Sequence, residues 1–144
     1  MTEHVLVPID QSACSKAALA YALEKHADGK ITALHVIDPS DYYAATGMEG
    51  GAMANYGQLE RHQREQADSI LEAARERAEA AGVEIETDQV VGSVSRSIVT
   101  YIEEADVDHL VVGSHGRTGA SRILLGSVAE KLVRRSPVPV TVVR

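Results

Sequence analysis

Short apolar runs and longer segments with helical spacing alternate along the chain. The runs "HVLVPI", "KITALHVI" and "VDHLVV" have the length and β-branched content of strands, and the first helical segment places Leu19 and Leu23 one turn apart. Strands that alternate with helices predict an α/β fold, in which a parallel sheet carries helices on both faces. The predicted strands are 4–9, 30–37, 83–91, 107–112 and 138–143, and the predicted helices are 12–27, 58–82, 93–105 and 127–135.

The order of the strands follows from their side-chain patterns. The third strand carries acidic residues at alternate positions, including Glu84 and Glu86, so one of its faces is exposed, as at a sheet edge. The fifth strand contains Pro139, which also favours an edge, whereas the fourth is continuously apolar, as in a sheet centre. Short right-handed crossovers then favour an open, twisted, five-stranded parallel sheet of order 3-2-1-4-5, in a single domain over residues 1–144. Pro8 must lie near the end of the first strand or at a bulge.

The charge of the chain is unevenly distributed. The net charge of −7 and the absence of Trp and Phe disfavour a nucleic-acid partner. Residues 113–135 nevertheless hold five Arg or Lys against one acid, which leaves −11 for the rest of the chain. Such a basic island suggests a small anionic ligand. The alternative is chance, together with Arg134 and Arg135 complementing the carboxyl end of a helix.

Nothing in the sequence indicates export or a membrane partner. No apolar run approaches the roughly 20 residues of a membrane span, and the first residues do not resemble a signal peptide. The single cysteine, Cys14, excludes an internal disulfide. We therefore expect a cytoplasmic protein. The six histidines include no pair at metal-ligand spacing with nearby Cys or acidic residues, so no protein-held metal is expected.

Four glycines cluster between residues 113 and 126, after the fourth strand. In the order 3-2-1-4-5 the chain direction across the sheet reverses between strands 1 and 4, and open α/β sheets bind ligands outside the carboxyl ends there. Asp10 follows strand 1, so it shares this edge, although an acid at a helix start is also favoured by the helix dipole. The helix beginning near Ser127 offers unpaired N–H groups to a phosphate. A structural alternative is that Ser127 and Glu130 form a capping box.

The spacing Gly-x2-Gly-x9-Gly-Ser after a "VVG" strand resembles the nucleotide-binding motif of the universal stress protein family, in its ATP-binding subgroup. The resemblance extends over the whole chain, because "VLVPID", "LHVID" and "PVPVTVVR" resemble the first, second and last strands of the family. It implies a Rossmann-like fold, ATP binding and homodimerisation through residues 138–143. It also implies that any Mg²⁺ or Mn²⁺ is held mainly by the phosphates. One departure is Val94, where family members often have proline before the third helix.

The resemblance also implies roles for individual residues. Pro8 and Asp10 belong to the first-strand motif, and Asp10 is expected beside the ribose or adenine. Val36 is expected to meet the adenine through its backbone. The residues implied along the ribose and phosphates are Gly113, Gly116, Gly126 and Ser127, with His115, Arg117 and Val128 lining the same path.

Three classes of function remain open at this point. The intact glycine motif favours an adenine-nucleotide-binding regulatory protein of the stress response, acting as a sensor or switch, over an interaction module without a ligand. A slow ATP-hydrolysing or phosphoryl-transfer enzyme is the alternative. The chain has no Walker lysine, and Asp10 is the only acidic residue predicted at a strand end of the switch point, so no catalytic residue is predicted.

Overall fold

The computed structural model describes residues 2–40, 56–115 and 125–144. Within these ranges no helix combines the length and apolarity needed to cross a bilayer. In chain order the elements of the described ranges are β1 (His4–Pro8), α1 (Ala13–Lys25), β2 (Lys30–Ile37), α2 (Tyr56–Ala80), β3 (Glu86–Val91), α3 (Val94–Glu104), β4 (His109–Gly113), α4 (Ser127–Arg135) and β5 (Val140–Val143).

The strands form one parallel sheet in the order β3-β2-β1-β4-β5, which confirms the predicted α/β topology. Val5 lies opposite Ile31 of β2 on one side and His109 of β4 on the other, so β1 is central. Pro8 is the last residue of β1, as its missing N–H requires. The chain therefore leaves the sheet at the switch point between β1 and β4.

Helices cover both faces of the sheet. Successive strand residues point to opposite faces, so Val5 packs into one core cluster and Leu6 into the other. The first cluster lies under α1 and α2, whose buried residues include Leu19 and Leu71. The second lies under α3 and α4, with Ile98, Ile102 and Leu132 among its members. The two clusters fix the carboxyl ends of the strands relative to the starts of α1 and α4.

Several strand boundaries differ from the prediction: β1 ends at Pro8 instead of residue 9, and β4 spans His109–Gly113 instead of 107–112. β3 begins at Glu86 instead of residue 83, and β5 begins at Val140 instead of residue 138. The preceding apolar residues still pack against the core: Ile85 joins the first cluster and Val138 the second. The pattern of apolar residues indicates which residues are buried. Because the buried residues extend beyond the hydrogen-bonded strands, the predicted β3 and β5 begin too early.

Tyr101 connects α3 to the outer strand β3. Its hydroxyl donates a hydrogen bond of 2.9 Å to Asp88 Oδ2. Burial of the phenol, and secondly the neighbouring Asp88 carboxylate, raise the pKa of Tyr101 to about 12. The hydroxyl therefore remains protonated, and remains a donor to Asp88, at neutral pH.

Candidate functional site

Gly113, the last residue of β4, lies directly against the start of α1. A Cβ at this position would lie 2.6 Å from the carbonyl carbon of Cys14 and 2.7 Å from its oxygen. Backbone atoms cannot move aside as the end of a flexible side chain can. Gly113 is thus required for close packing of β4 on α1, and this packing brings the two chain segments of the switch point together.

We expect Gly113→Ala to destabilise the protein strongly. Overpacking against backbone costs about 2–3 kcal/mol, which corresponds to a melting temperature about 6–10 °C lower for a domain of this size. Gly57→Ala in the first turn of α2 is the matched control, because no atom of the described residues lies within 4 Å of the added Cβ. Calorimetry should find the control unchanged or slightly more stable. Equal melting temperatures for the two variants would contradict the packing role.

Ser114 joins three segments at the end of β4. Its N–H donates to the Val143 carbonyl at 2.8 Å, and its carbonyl accepts from the Gly126 N–H at 2.7 Å. The buried hydroxyl lies 3.7 Å from Cys14 Sγ and 3.1 Å from His115 Nδ1. Ser114 therefore places the start of α4 beside the end of β4. Sequence reasoning did not single it out, because a serine after a strand carries no distinctive pattern.

The amino end of α4 differs from the capping-box alternative. Gly126 is the N-cap, with φ −65° and ψ 160°, and no side chain caps the helix within the described residues. Ser127 is the first helical residue, and the Glu130 N–H donates to the Gly126 carbonyl at 2.9 Å. The capping-box interpretation is therefore wrong, because Ser127 lies one residue too late to cap. Within the described residues the N–H groups of the first turn, from Ser127 to Ala129, have no acceptor, so they could donate to an anion at this edge.

Asp10 lies between β1 and α1. Its Oδ1 accepts a hydrogen bond of 2.7 Å from the Ser12 N–H, and Ser12 caps α1 by accepting from the Ser15 N–H at 3.1 Å. Ser15 in turn donates its hydroxyl hydrogen to the Asp10 carbonyl at 3.0 Å. These local bonds fix the Asp10 backbone and occupy one carboxylate oxygen. Its other oxygen, Oδ2, forms no hydrogen bond within the described part of the chain, so it could accept from a ligand hydroxyl.

Val36 lies near the carboxyl end of β2, beyond the last residue of β1. The Ile9 N–H donates to the Leu34 carbonyl at 2.8 Å, and the Gly92 N–H donates to the Ile37 carbonyl at 2.9 Å. Backbone groups alternate between the two sides of a strand, so the N–H and C=O of Val36 point to the β1 side. The pairing of β1 with β2 ends at Pro8 and Leu34. Val36 thus presents an adjacent donor and acceptor where no described strand residue lies opposite it.

His35 reinforces this arrangement. Its Nδ1–H donates to the Ile9 carbonyl at 2.8 Å. If the ladder between β1 and β2 continued, this carbonyl would accept from the Val36 N–H. The His35 ring occupies it instead. His35 is thus a strand residue whose ring nitrogen has a hydrogen-bond partner. His109 in β4 likewise has a partner, since its Nε2 lies 2.8 Å from Thr141 Oγ1.

The remaining predicted residues fall into two groups. His115 is half-buried after β4, and Val128 is 38% exposed on the first turn of α4, so both lie on the same edge as Gly126. Gly116 and Arg117 lie outside the described residues. Part of the basic island follows the helix-end alternative given above. Arg134 and Arg135 occupy the last turn of α4, and Arg134 pairs with Glu130 at 3.1 Å. These two arginines therefore serve the helix end and not the switch point.

These features define an open, doubly wound α/β protein with a polar switch-point edge, the position at which such sheets bind ligands. The chain belongs to the universal stress protein family, whose family model matches residues 1–144. The recognition of the family from its glycine motif and strand sequences is thereby confirmed.

Relatives of the chain cover nearly its whole length. It is 31% identical to universal stress protein MJ0531 of Methanocaldococcus jannaschii, over 97% of this chain and 81% of the relative. The solved structure of protein MJ0577, from the same organism, is 31% identical and superposes with a TM-score of 0.81 over 99% of this chain and 96% of the other. A universal stress protein solved in complex with cAMP is 28% identical, with a TM-score of 0.67 over 99% of this chain and 97% of the other.

Proposed function

We propose that this chain is a cytoplasmic regulatory protein that binds ATP at the switch-point edge and responds to it as a sensor or switch. The observation that carries the proposal is the Val36 backbone, which offers a donor and an acceptor beyond the end of β1. Buried or ligand-facing backbone groups require partners, and the related protein solved with cAMP carries an adenine nucleotide. Adenine supplies the matching pair of groups.

The direction of these groups favours adenine over guanine. Adenine presents a ring-nitrogen acceptor beside its N6 amino donor, which complements the N–H and C=O of Val36. Guanine presents an oxygen at the position of that amino group, so the carbonyl of Val36 would face another acceptor. An unmatched polar pair costs about 1–3 kcal/mol. We therefore expect ATP to bind about 5- to 150-fold more tightly than GTP.

The sugar and phosphates then lie along residues of the same edge. The Asp10 carboxylate is the acceptor for a ribose hydroxyl, and the amides of α4 from Ser127 to Ala129 are the donors for a phosphate. Gly113, Ser114 and His115 form the floor between them. Any Mg²⁺ or Mn²⁺ is held mainly by the phosphates, since Asp10 is the only carboxylate proposed at this edge.

We further propose that the protein is a homodimer joined through β5. The Pro139 carbonyl accepts from the Leu110 N–H of β4 at 3.0 Å, and the Val143 carbonyl accepts from the N–H of Ser114, just after β4, at 2.8 Å. By strand alternation the backbone groups of Val140 and Val142 face away from β4. In the described part of the chain β5 is an edge strand, and an apolar edge favours pairing with another strand. A second copy related by a twofold axis supplies that strand.

Thermal denaturation of nucleotide-free protein tests the binding proposal. ATP at about 100 times its Kd should add about 2.7 kcal/mol to the free energy of unfolding, which is a rise of about 8 °C in melting temperature. GTP at the same concentration should give a much smaller rise. Phosphate release measured in the same samples distinguishes binding alone from slow hydrolysis.

Asp10→Asn is the variant matched to this experiment. Asparagine retains an oxygen that can accept from the Ser12 N–H, so the turn into α1 is preserved. It removes the negative charge proposed to face the ribose, and we expect about 10-fold weaker ATP binding with an unchanged melting temperature in the absence of nucleotide. A wild-type protein that shows no shift at millimolar ATP would overturn the proposal.

A further inference from the structure

A cluster of metal-binding side chains lies at the amino-end edge of the sheet, opposite the proposed nucleotide site. Glu3 directly precedes β1, His26 is the C-cap residue of α1, and His109 is the first residue of β4. One ligand atom from each of the three lies within 4.8 Å of the others. No other group of three such residues comes together in the ranges that the structure describes.

The spacing of the three donor atoms suits a tetrahedral ion. Glu3 Oε1 lies 2.9 Å from His26 Nδ1, and Glu3 Oε2 lies 3.7 Å from His109 Nδ1. Zinc–ligand bonds of about 2.0–2.1 Å place the donor atoms of a tetrahedral site about 3.3–3.4 Å apart. These two distances involve different oxygens of the Glu3 carboxylate, and one donor atom from each residue lies within 4.8 Å of the others. Side-chain rotations that shorten these separations to about 3.3–3.4 Å would admit an ion.

The orientation of His109 distinguishes this cluster from an ordinary ion pair. Its Nε2 lies 2.8 Å from Thr141 Oγ1. In the tautomer with the proton on Nε2, the Nε2–H donates a hydrogen bond to that hydroxyl oxygen. Nδ1 then directs its lone pair toward the Glu3 carboxylate, which is repulsive unless a cation lies between them. A metal-ligating histidine usually donates its other ring N–H to an outer-shell acceptor, and the Thr141 hydroxyl can serve as that acceptor. The His109 ring also packs edge-on against the His26 ring, with centroids 5.0 Å apart, so the two imidazoles face the same carboxylate.

The backbone holds the three residues in place before any ion binds. The Glu3 carbonyl accepts from the Lys30 N–H at 2.8 Å, and the His26 N–H donates to the Ala22 carbonyl at 2.8 Å. His109 lies opposite Val5 in the sheet. The histidine side chains are 14% and 19% exposed and the Glu3 side chain is 45% exposed. The imidazoles are therefore held by their surroundings, while an ion can enter from the carboxylate side.

We propose that Glu3, His26 and His109 bind Zn²⁺, with water as the fourth ligand. Two imidazoles and one carboxylate form a donor set that selects Zn²⁺, because Mg²⁺ and Ca²⁺ prefer oxygen ligands alone. The ion would connect the start of β1, the end of α1 and the start of β4. This site is independent of the proposed nucleotide site, because it lies at the other edge of the sheet.

Calorimetric titration of the untagged full chain with Zn²⁺, without nucleotide, tests the proposal. We expect one ion per chain, and Co²⁺ should show the visible absorption of a tetrahedral complex at the same site. Glu3→Gln, His26→Gln and His109→Gln should each weaken zinc binding at least as much as the 10- to 100-fold typical of lost outer-shell partners. His62→Gln is the matched control, since His62 is exposed on α2 and should bind no ion.

The Thr141 hydroxyl provides a second test, because Thr141 acts only through His109. Thr141→Val should weaken zinc binding about 10- to 100-fold and alter the Co²⁺ spectrum, and Thr141→Ser should restore both. Circular dichroism of each variant reports whether it remains folded. Three results would overturn the site: no wild-type binding at about 0.1 mM Zn²⁺, wild-type affinity in His109→Gln, or an equal loss in His62→Gln.

Discussion

Gly126→Val is expected to abolish ATP binding while the fold is retained. The Gly126 backbone is extended, at φ −65° and ψ 160°, a conformation that valine adopts readily. Replacing a glycine N-cap with valine costs the helix only about 1 kcal/mol. The γ-methyl groups, however, add bulk beside the first-turn amides proposed to bind phosphate. We therefore expect at least about 100-fold weaker ATP binding by calorimetric titration, with unchanged far-UV circular dichroism.

Gly126→Ser separates a ligand role from a capping role at the same position. A serine N-cap accepts a hydrogen bond from the N–H of Val128 or Ala129, so the nucleotide-free protein should be a few tenths of a kcal/mol more stable. The same bond occupies an amide that the phosphate needs, so ATP affinity should fall. If both variants bind ATP like the wild type, Gly126 serves only to begin α4.

The strand order could be predicted because the apolar and acidic positions show which strands are buried on both faces and which are partly exposed. A continuously apolar β4, an acidic alternation in β3 and Pro139 before β5 determine which strands are central and which are edges. The same pattern could not give the strand ends. Ile85 and Val138 are packed against the core as strand residues are, yet they lie outside the backbone ladder.

The candidate site was predictable only in part. Asp10 and Gly113 could be placed at the switch point, since strand order determines which chain ends meet there. The N-cap of α4 could not be placed, because Gly126 and Ser127 are both good N-cap residues and only the path of the chain selects one. The structure further shows that Gly113 packs against Cys14, so glycines of one motif need not share one role.

The proposed zinc ligands illustrate a different limit. Spacing rules detect ligands that lie on one helix or one loop, whereas Glu3, His26 and His109 come from three elements far apart in the chain. They meet because parallel strands begin at the same edge and α1 runs back to it. The expectation that the protein holds no metal rested on the spacing of residues along the chain. That spacing does not include which distant residues the topology brings together.

The Val142→Pro variant is expected to convert the proposed homodimer into monomers. The backbone of Val142 faces away from β4, so proline removes one outward donor without breaking the ladder between β4 and β5. A twofold interface loses the donor twice, at about 1.5 kcal/mol each, which raises the dimer dissociation constant by about 100-fold or more. Sedimentation of the protein at micromolar concentration measures the change.

Val142→Ala is the control for that experiment. The Val142 side chain packs against the second core cluster, so any substitution there removes some packing, and a lysine would place a charge against the core. Alanine removes more side-chain volume than proline but keeps the outward N–H. If the dimer is joined through the β5 backbone, Val142→Ala remains dimeric and Val142→Pro does not. A monomeric wild type, or equal dissociation of both variants, would place the contact elsewhere.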